Sequence, residues 1–293
     1  MIPTRLSNSV GSGGRNLPQD VLLARALLNV AARHRGGNLL TMAPAADDAL
    51  VQRIHQYQHD SVGLTDSDGR IDSDGATLAA LLKTLGDSRT RQEPGEPDEG
   101  LVTWEAEGQE GGPFHSRILH VPSSGSGLTI GRGYDMKHRT AVQISSELSA
   151  AGVPSSIAQR LASAAGLGGP TAQRFVISAD LLDFEITPAA QLKLFAVVYQ
   201  WHAQDVQRIS AQPAVVSRYG KLHWANIHPL IRQLLVDLRY RGDYTPESRA
   251  FLQRPAVQND LPTFSALVHD LARWRNVPRD RFERRCKLLD SGH

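Results

Sequence analysis

A single cysteine, Cys286, stands in 293 residues, so no disulfide can close within the chain and no cysteine-rich zinc site can form. It lies beside Phe282 and Leu289 at helical spacing and reads as a helix-face residue. No apolar run approaches the roughly 20 residues that would cross a bilayer. Met1-Ile-Pro-Thr-Arg5 opens no charged, then apolar, then small-residue series of the kind that directs secretion. The expectation is a globular protein without membrane insertion, made in the cytoplasm without a signal peptide, that needs another machine to reach any target outside. A strong net charge is also missing: the formal value is +2. That balance hides a split, because positions 87 to 110 hold eight acidic residues against two basic, and positions 200 to 293 hold fifteen basic against nine acidic. A basic C-terminal part suits any polyanion, nucleic acid or anionic cell wall alike, and arginines that merely solvate helix faces fit as well.

What is present is an apolar fraction of 41%, enough for real cores in one large or two ordinary domains. Asp87 to Gly100 has no apolar residue, two prolines and a run of like charge, which marks a linker. The division expected is residues 1–86, an acidic Pro/Gly linker at 87–100, and 101–293. In the first part, apolar stripes at helical spacing predict helices over Asp20 to Val30, Asp47 to Gln58 and Thr77 to Leu85. Asp66, Asp68, Asp72 and Asp74 alternate before glycines, but a calcium loop turning at Gly69 would begin at Leu64 and end at Gly75 and so lose both terminal ligands. Asp-Gly turn chemistry explains them better.

The densest chemistry lies between Leu101 and Asp135. Leu101, Trp104 and Glu107 share a stripe on a short helix stopped by Gly108, and the run Ser126-Gly-Leu-Thr-Ile-Gly-Arg-Gly-Tyr-Asp135 reads as a tight β-hairpin. Helices dominate afterwards: Thr140 with Gln143 forms a capping box on a segment closed by Gly152, Pro154 starts another, Thr187-Pro188 and His228-Pro229 open two more, and later ones carry Phe264 to Trp274 and Phe282 to Leu289. The fold class expected is mainly α with a small β-hairpin element, that is, α+β. Glycoside hydrolysis needs a proton for the leaving oxygen and, on the other side of the sugar, a nucleophile or a held water. Glu107 is the candidate acid, sheltered by Trp104 and a helix end, with Glu110 and Glu105 as neighbouring alternatives. Asp135 is the candidate second carboxylate, and the Thr129 hydroxyl can hold a water as donor and acceptor. His120, Arg132 and Tyr134 are candidate substrate contacts, although Tyr134 suits hairpin packing equally well. A zinc amidase would need three protein ligands, and His115 and His120 lie in no such spacing, so no metal and no cofactor is expected. Tyr199, Trp201 and Trp224 read as core more readily than as a saccharide platform.

Glu107-Gly108 followed by Thr129-Ile-Gly-Arg-Gly133 and an aspartate six residues after the threonine resembles the active-site signature of phage-type lysozymes, and most of all their pesticin-like branch. The likeness covers about residues 100–290, with weaker support from Leu234 to Gly242 and from Arg284-Arg285. Residues 8–85, with Asp68-Gly-Arg-Ile-Asp72 and Gly75-x-Thr77-Leu78, resemble peptidoglycan-binding-like modules. The resemblance implies a lysozyme-like domain behind a three-helix peptidoglycan-binding-like domain. It implies an inverting muramidase acting on peptidoglycan glycan strands, with Glu107 as acid and Asp135 and Thr129 positioning the water. It departs from the phage enzymes in having no acid between residues 111 and 128. If Asp135 points away, a lytic transglycosylase working from Glu107 alone is the alternative, and a non-catalytic wall-binding adaptor is the reading from another class. The partners implied are the glycan, a cognate immunity protein and a component of a type VI secretion apparatus, or a phage holin if the protein is an endolysin. No nucleic-acid partner is implied. The site of action expected is the wall or periplasm of a target cell.

Overall fold

The computed structural model describes residues 2–89, 92, 95–112 and 114–291. Along the chain run β1 (Val10–Gly11), α1 (Pro18–Arg35), α2 (Asp48–Tyr57), β2 (Arg70–Ile71), α3 (Ala76–Asp87), α4 (Leu101–Ala106), β3 (Thr129–Ile130), β4 (Tyr134–Asp135), α5 (Ala141–Ala151), α6 (Ser155–Ala162), α7 (Gly169–Ser178), α8 (Pro188–Ser210), α9 (Pro213–Tyr219), α10 (Pro229–Arg241), α11 (Pro246–Gln258), α12 (Leu261–His269) and α13 (Arg279–Asp290). The protein is mainly helical with a little β structure, as the patterning leads one to expect. The strands form two antiparallel pairs, β1 with β2 and β3 with β4. No helix among the described residues is long and apolar enough to cross a membrane.

The chain forms two compact units, one of residues 1–93 with 109–191, the other of 94–108 with 192–293. These units are cut differently from the division of the sequence at 87–100. Of that stretch, α3 takes in Asp87, and Thr90, Arg91, Glu93 and Pro94 lie outside the described residues.

In the first unit local rules set the helix ends. Pro18 sits in the first turn of α1, where its missing N–H costs nothing, and Gly36 closes the helix in the left-handed conformation. Asp47 caps α2 by accepting the Leu50 N–H, and Thr140 and Gln143 form the expected capping box on α5. The aspartates after α2 serve a turn: Asp68 accepts from the Gln58 amide at 2.6 Å and from the Arg70 N–H at 3.0 Å. What ties residues 1–93 to 109–191 is not local. Helix α1 lies against α7, and Arg33 reaches Asp180 at 2.8 Å and Asp183 at 2.7 Å. Asn29 donates to the same Asp180 carboxylate.

A chain lacking residues 1–86 should therefore lose the cooperative melting of the first unit, because α7 is stripped of its cover and two largely buried carboxylates lose their guanidinium. Circular dichroism melts and limited proteolysis decide this. An unchanged melting temperature would show that the segment is dispensable for folding.

The second unit builds its core from α10 to α13, with Ile231, Leu234, Leu235, Leu238, Leu252, Phe264, Val268, Trp274, Phe282 and Leu289 buried together. A smaller cluster joins Trp104 of α4 to Phe195, Tyr199 and Ala203 of α8 and Val236 of α10. Trp104 meets Phe195 edge to face at 5.1 Å between centroids. The apolar run from Phe264 does not continue as one helix through Trp274: α12 ends at His269, and Asp270 caps a separate 3-10 turn at Leu271–Arg273. Helices α7, α9 and α11, which the apolar stripes do not single out, each carry a proline in the first turn.

Candidate active site

The candidate residues fall on both units, and each unit presents its own cluster. On the first, Thr129 of β3 pairs with Asp135 of β4, and Ile130 with Tyr134, across the three-residue turn Gly131-Arg132-Gly133. Residues directly opposite in an antiparallel pair point to the same face. Ile130 and Tyr134 turn inward and are fully buried. His120 extends the other row: it exchanges both backbone hydrogen bonds with Thr129, at 2.9 and 2.8 Å. His120, Thr129 and Asp135 thus lie side by side on three adjacent strand segments.

Their polar atoms are already engaged in part. The Asp135 carboxylate accepts the Gly127 N–H on Oδ2 at 3.0 Å and the Lys137 N–H on Oδ1 at 2.7 Å. Thr129 donates its hydroxyl proton to the Gly127 carbonyl at 3.2 Å. The approach is so close that a Cβ on Gly127 would lie 2.2 Å from Asp135 Oδ1 and 2.4 Å from Lys137 Cβ, so only glycine fits there. The His120 Nδ1 faces the Ile118 carbonyl at 3.0 Å. Burial pushes the His120 imidazole below its ordinary value, while the bond to Ile118 and the charge of Asp135 act the other way without cancelling it.

Asp135→Asn should consequently weaken the fold as well as any reaction. An amide has one acceptor oxygen, so one of the two backbone N–H groups would face an NH2 instead, at a cost of about 1–3 kcal/mol. Urea unfolding followed by circular dichroism measures it. A variant as stable as the native protein would show that the two bonds are dispensable.

Two candidate contacts point elsewhere. The Tyr134 hydroxyl donates to Glu147 at 2.6 Å and the Arg139 guanidinium stacks on its ring, so it packs the hairpin instead of facing a ligand. Burial and the Glu147 carboxylate raise its phenol well above the ordinary tyrosine range. Arg132 is buried and reaches Glu110 at 3.3 Å. Glu110 in turn meets Arg117 at 3.0 Å, and Arg117 meets Glu185 at 3.0 Å. His115 completes this buried network: its Nδ1 accepts the Gly111 N–H, so Nε2 bears the proton and donates to Glu185 at 2.8 Å. With Nδ1 used as an acceptor, its 3.6 Å approach to Glu110 is no ion pair. Glu110 therefore holds a loop together, and His115 is no metal ligand. Among the described residues no group of three or more His, Cys, Asp or Glu is placed to hold a metal ion.

On the second unit Glu107 terminates α4 as its C-cap, with its N–H bonded to the Thr103 carbonyl. Its side chain is 23% exposed, and one oxygen is held by the Arg281 guanidinium of α13. Arg281 also grips Asp237 of α10 at 2.7 Å, Arg285 binds the other oxygen of Asp237 at 2.7 Å, and Thr103 donates to Asp237 at 3.1 Å. Asp237 is fully buried. Burial alone would raise its carboxyl, but the two guanidiniums outweigh it and hold it below the ordinary value. Burial would likewise lower Arg281, and Asp237 with Glu107 more than reverses that. Glu105 stands apart, exposed and paired with Arg284 at 3.0 Å. Neither Asp237 nor Arg281 carries a motif that marks it as a site residue. The available signal was an aspartate inside the apolar run Leu234-Leu-Val-Asp-Leu238, with Arg281 and Arg285 one helical turn apart.

The chain belongs to the family described as "Domain of unknown function (DUF8812)", whose model matches residues 100–286. No curated protein matches it.

Proposed function

We propose that this member of the family is a peptidoglycan hydrolase with a lysozyme-like domain, a muramidase that cleaves the β-1,4 bond between N-acetylmuramic acid and N-acetylglucosamine. The observation that carries the reading is the pairing of Thr129 with Asp135. A hydroxyl and a carboxylate set side by side on a hairpin are the groups that can position one water on a sugar carbon. The likeness of Glu107-Gly108 to the lysozyme signature supports Glu107 as the acid. Its carboxylate is more sheltered than that of Glu105 and, where Glu110 meets both Arg117 and Arg132, Glu107 is held through one oxygen by Arg281. Residues 1–86 would act as the wall-binding part, and the basic excess of the C-terminal part suits an anionic wall. Action on the wall of a target cell implies delivery, by a type VI apparatus for an antibacterial effector or by a holin for an endolysin. In the first case a cognate immunity protein would protect the producer.

One feature favours a second reading. Both oxygens of Asp135 hold backbone N–H groups. If that is its whole task, Glu107 is left as sole acid and base, and the sugar's own hydroxyl attacks in place of water, as in a lytic transglycosylase. Mass spectrometry of muropeptides released from purified sacculi separates the two. New reducing ends support the muramidase, anhydromuramic ends the transglycosylase, and no release removes both.

A further inference from the structure

We infer that Nε2 of His120 takes the proton of the attacking water, which makes His120 a catalytic residue and the general base of the hairpin site. The inference rests on the muramidase reading and names the group that reading lacks. The Ile118 carbonyl can only accept, so the Nδ1 facing it at 3.0 Å must carry the ring proton. The lone pair of the neutral ring is then on Nε2, which has no protein partner among the described residues. His120 is directly opposite Thr129, and Thr129 is directly opposite Asp135, so the lone pair, the hydroxyl and the carboxylate belong to one row. Asp135 is already engaged, since each of its oxygens secures a turn of the hairpin through a backbone N–H.

The surrounding charges fit this division of labour. Asp135 on β4 is the carboxylate that acts on the ring, and its negative charge stabilises the imidazolium that forms. Lys137, two residues on, turns its ammonium to the Gly125 carbonyl at 2.6 Å. Because burial holds the imidazole below its ordinary value of 6.5, the ring is neutral, and able to accept, at neutral pH. In the step itself, the water oxygen bonds to C1 of the muramyl residue and its proton passes to Nε2. The bond from C1 to the glycosidic oxygen breaks with its electron pair on that oxygen, which takes a proton from the general acid of the muramidase reading. The imidazolium then releases its proton to solvent and that acid regains one, so a single water is consumed.

The test compares His120→Gln with the native protein on soluble glycan fragments. Glutamine keeps a hydrogen-bonding side chain but cannot take up a proton, so kcat should fall by about 10² to 10⁴ with KM little changed, the usual contribution of a general base. Added imidazole should restore part of the rate to His120→Ala. In the native protein kcat should rise with pH along a limb whose midpoint lies below 6.5, the ordinary histidine value. An active native protein whose His120→Gln variant keeps its rate within about threefold overturns the inference and leaves the muramidase reading standing. A native protein that releases no new ends removes both. If His120→Gln does not fold, the native pH profile decides: the limb supports the base, and its absence overturns it.

Discussion

Glu107→Gln should abolish sacculus digestion while leaving the protein folded. The amide keeps the shape of the carboxyl and an oxygen that can still accept from Arg281, so the contact between α4 and α13 survives. What it loses is an acidic proton for the leaving oxygen, and general acid catalysis contributes about 10² to 10⁴ in rate. Glu105→Gln is the matched control. Its side chain is exposed and its partner Arg284 is half exposed, so the substitution forfeits about 0–1 kcal/mol of stability and should keep most of the activity. Release of muropeptides by the two variants, alongside their melting temperatures, distinguishes a missing acid from a damaged fold. A Glu107→Gln protein that digests sacculi near the native rate would place the acid elsewhere.

The largest effect on stability is expected at Asp237, which has no part in the proposed chemistry. Asp237→Asn conserves volume but removes the charge that compensates two buried guanidiniums, and its NH2 group would face one of them. Arg281 would be left with Glu107, and Arg285 with Asp243 at 2.8 Å. Breaking a buried pair of this kind costs about 3–5 kcal/mol, a large share of the roughly 5–15 kcal/mol that holds a domain together. The same ions set a pH dependence. The folded-state carboxyl is held below the ordinary value of 3.8, so the native protein binds fewer protons here than its unfolded chain does. The stabilisation is complete above that value and is lost as pH falls through the folded one. The gap between native and Asp237→Asn in urea midpoint should therefore be widest near neutrality and shrink in strong acid. Equal midpoints at pH 7 would show that the ion cluster does not hold this unit. Because Arg281 also grips Glu107, the variant should lose activity beyond its loss of folded protein.

The residues that open and close elements were legible without coordinates. Thr140 with Gln143, Gly152 and His228-Pro229 act on backbone groups within a turn of themselves, so the chain needs no tertiary contact to specify them. The same holds for the hairpin, where Gly131 and Gly133 take the left-handed conformations that the tight return needs, and for the end of α4 at Glu107. Composition alone determined that the fold stands without disulfides. Only the tertiary structure decided what most charged side chains do, because the partner lies far along the chain: Asp237 finds Arg281 and Arg285, Arg33 finds Asp180 and Asp183, and Arg117 finds Glu185. A run of acidic and basic letters looks the same whether the groups are solvated or buried, and burial, which makes pairing obligatory, is a property of the packed molecule. For that reason Tyr134 stood open between ligand contact and hairpin packing and Arg132 was a candidate contact, whereas Tyr134 donates to Glu147 and Arg132 reaches Glu110. The grouping of residues 1–93 with 109–191 was hidden in the same way, since a charged, proline-bearing stretch reads as a boundary while the contacts that unite its two sides are made by residues about 150 positions apart.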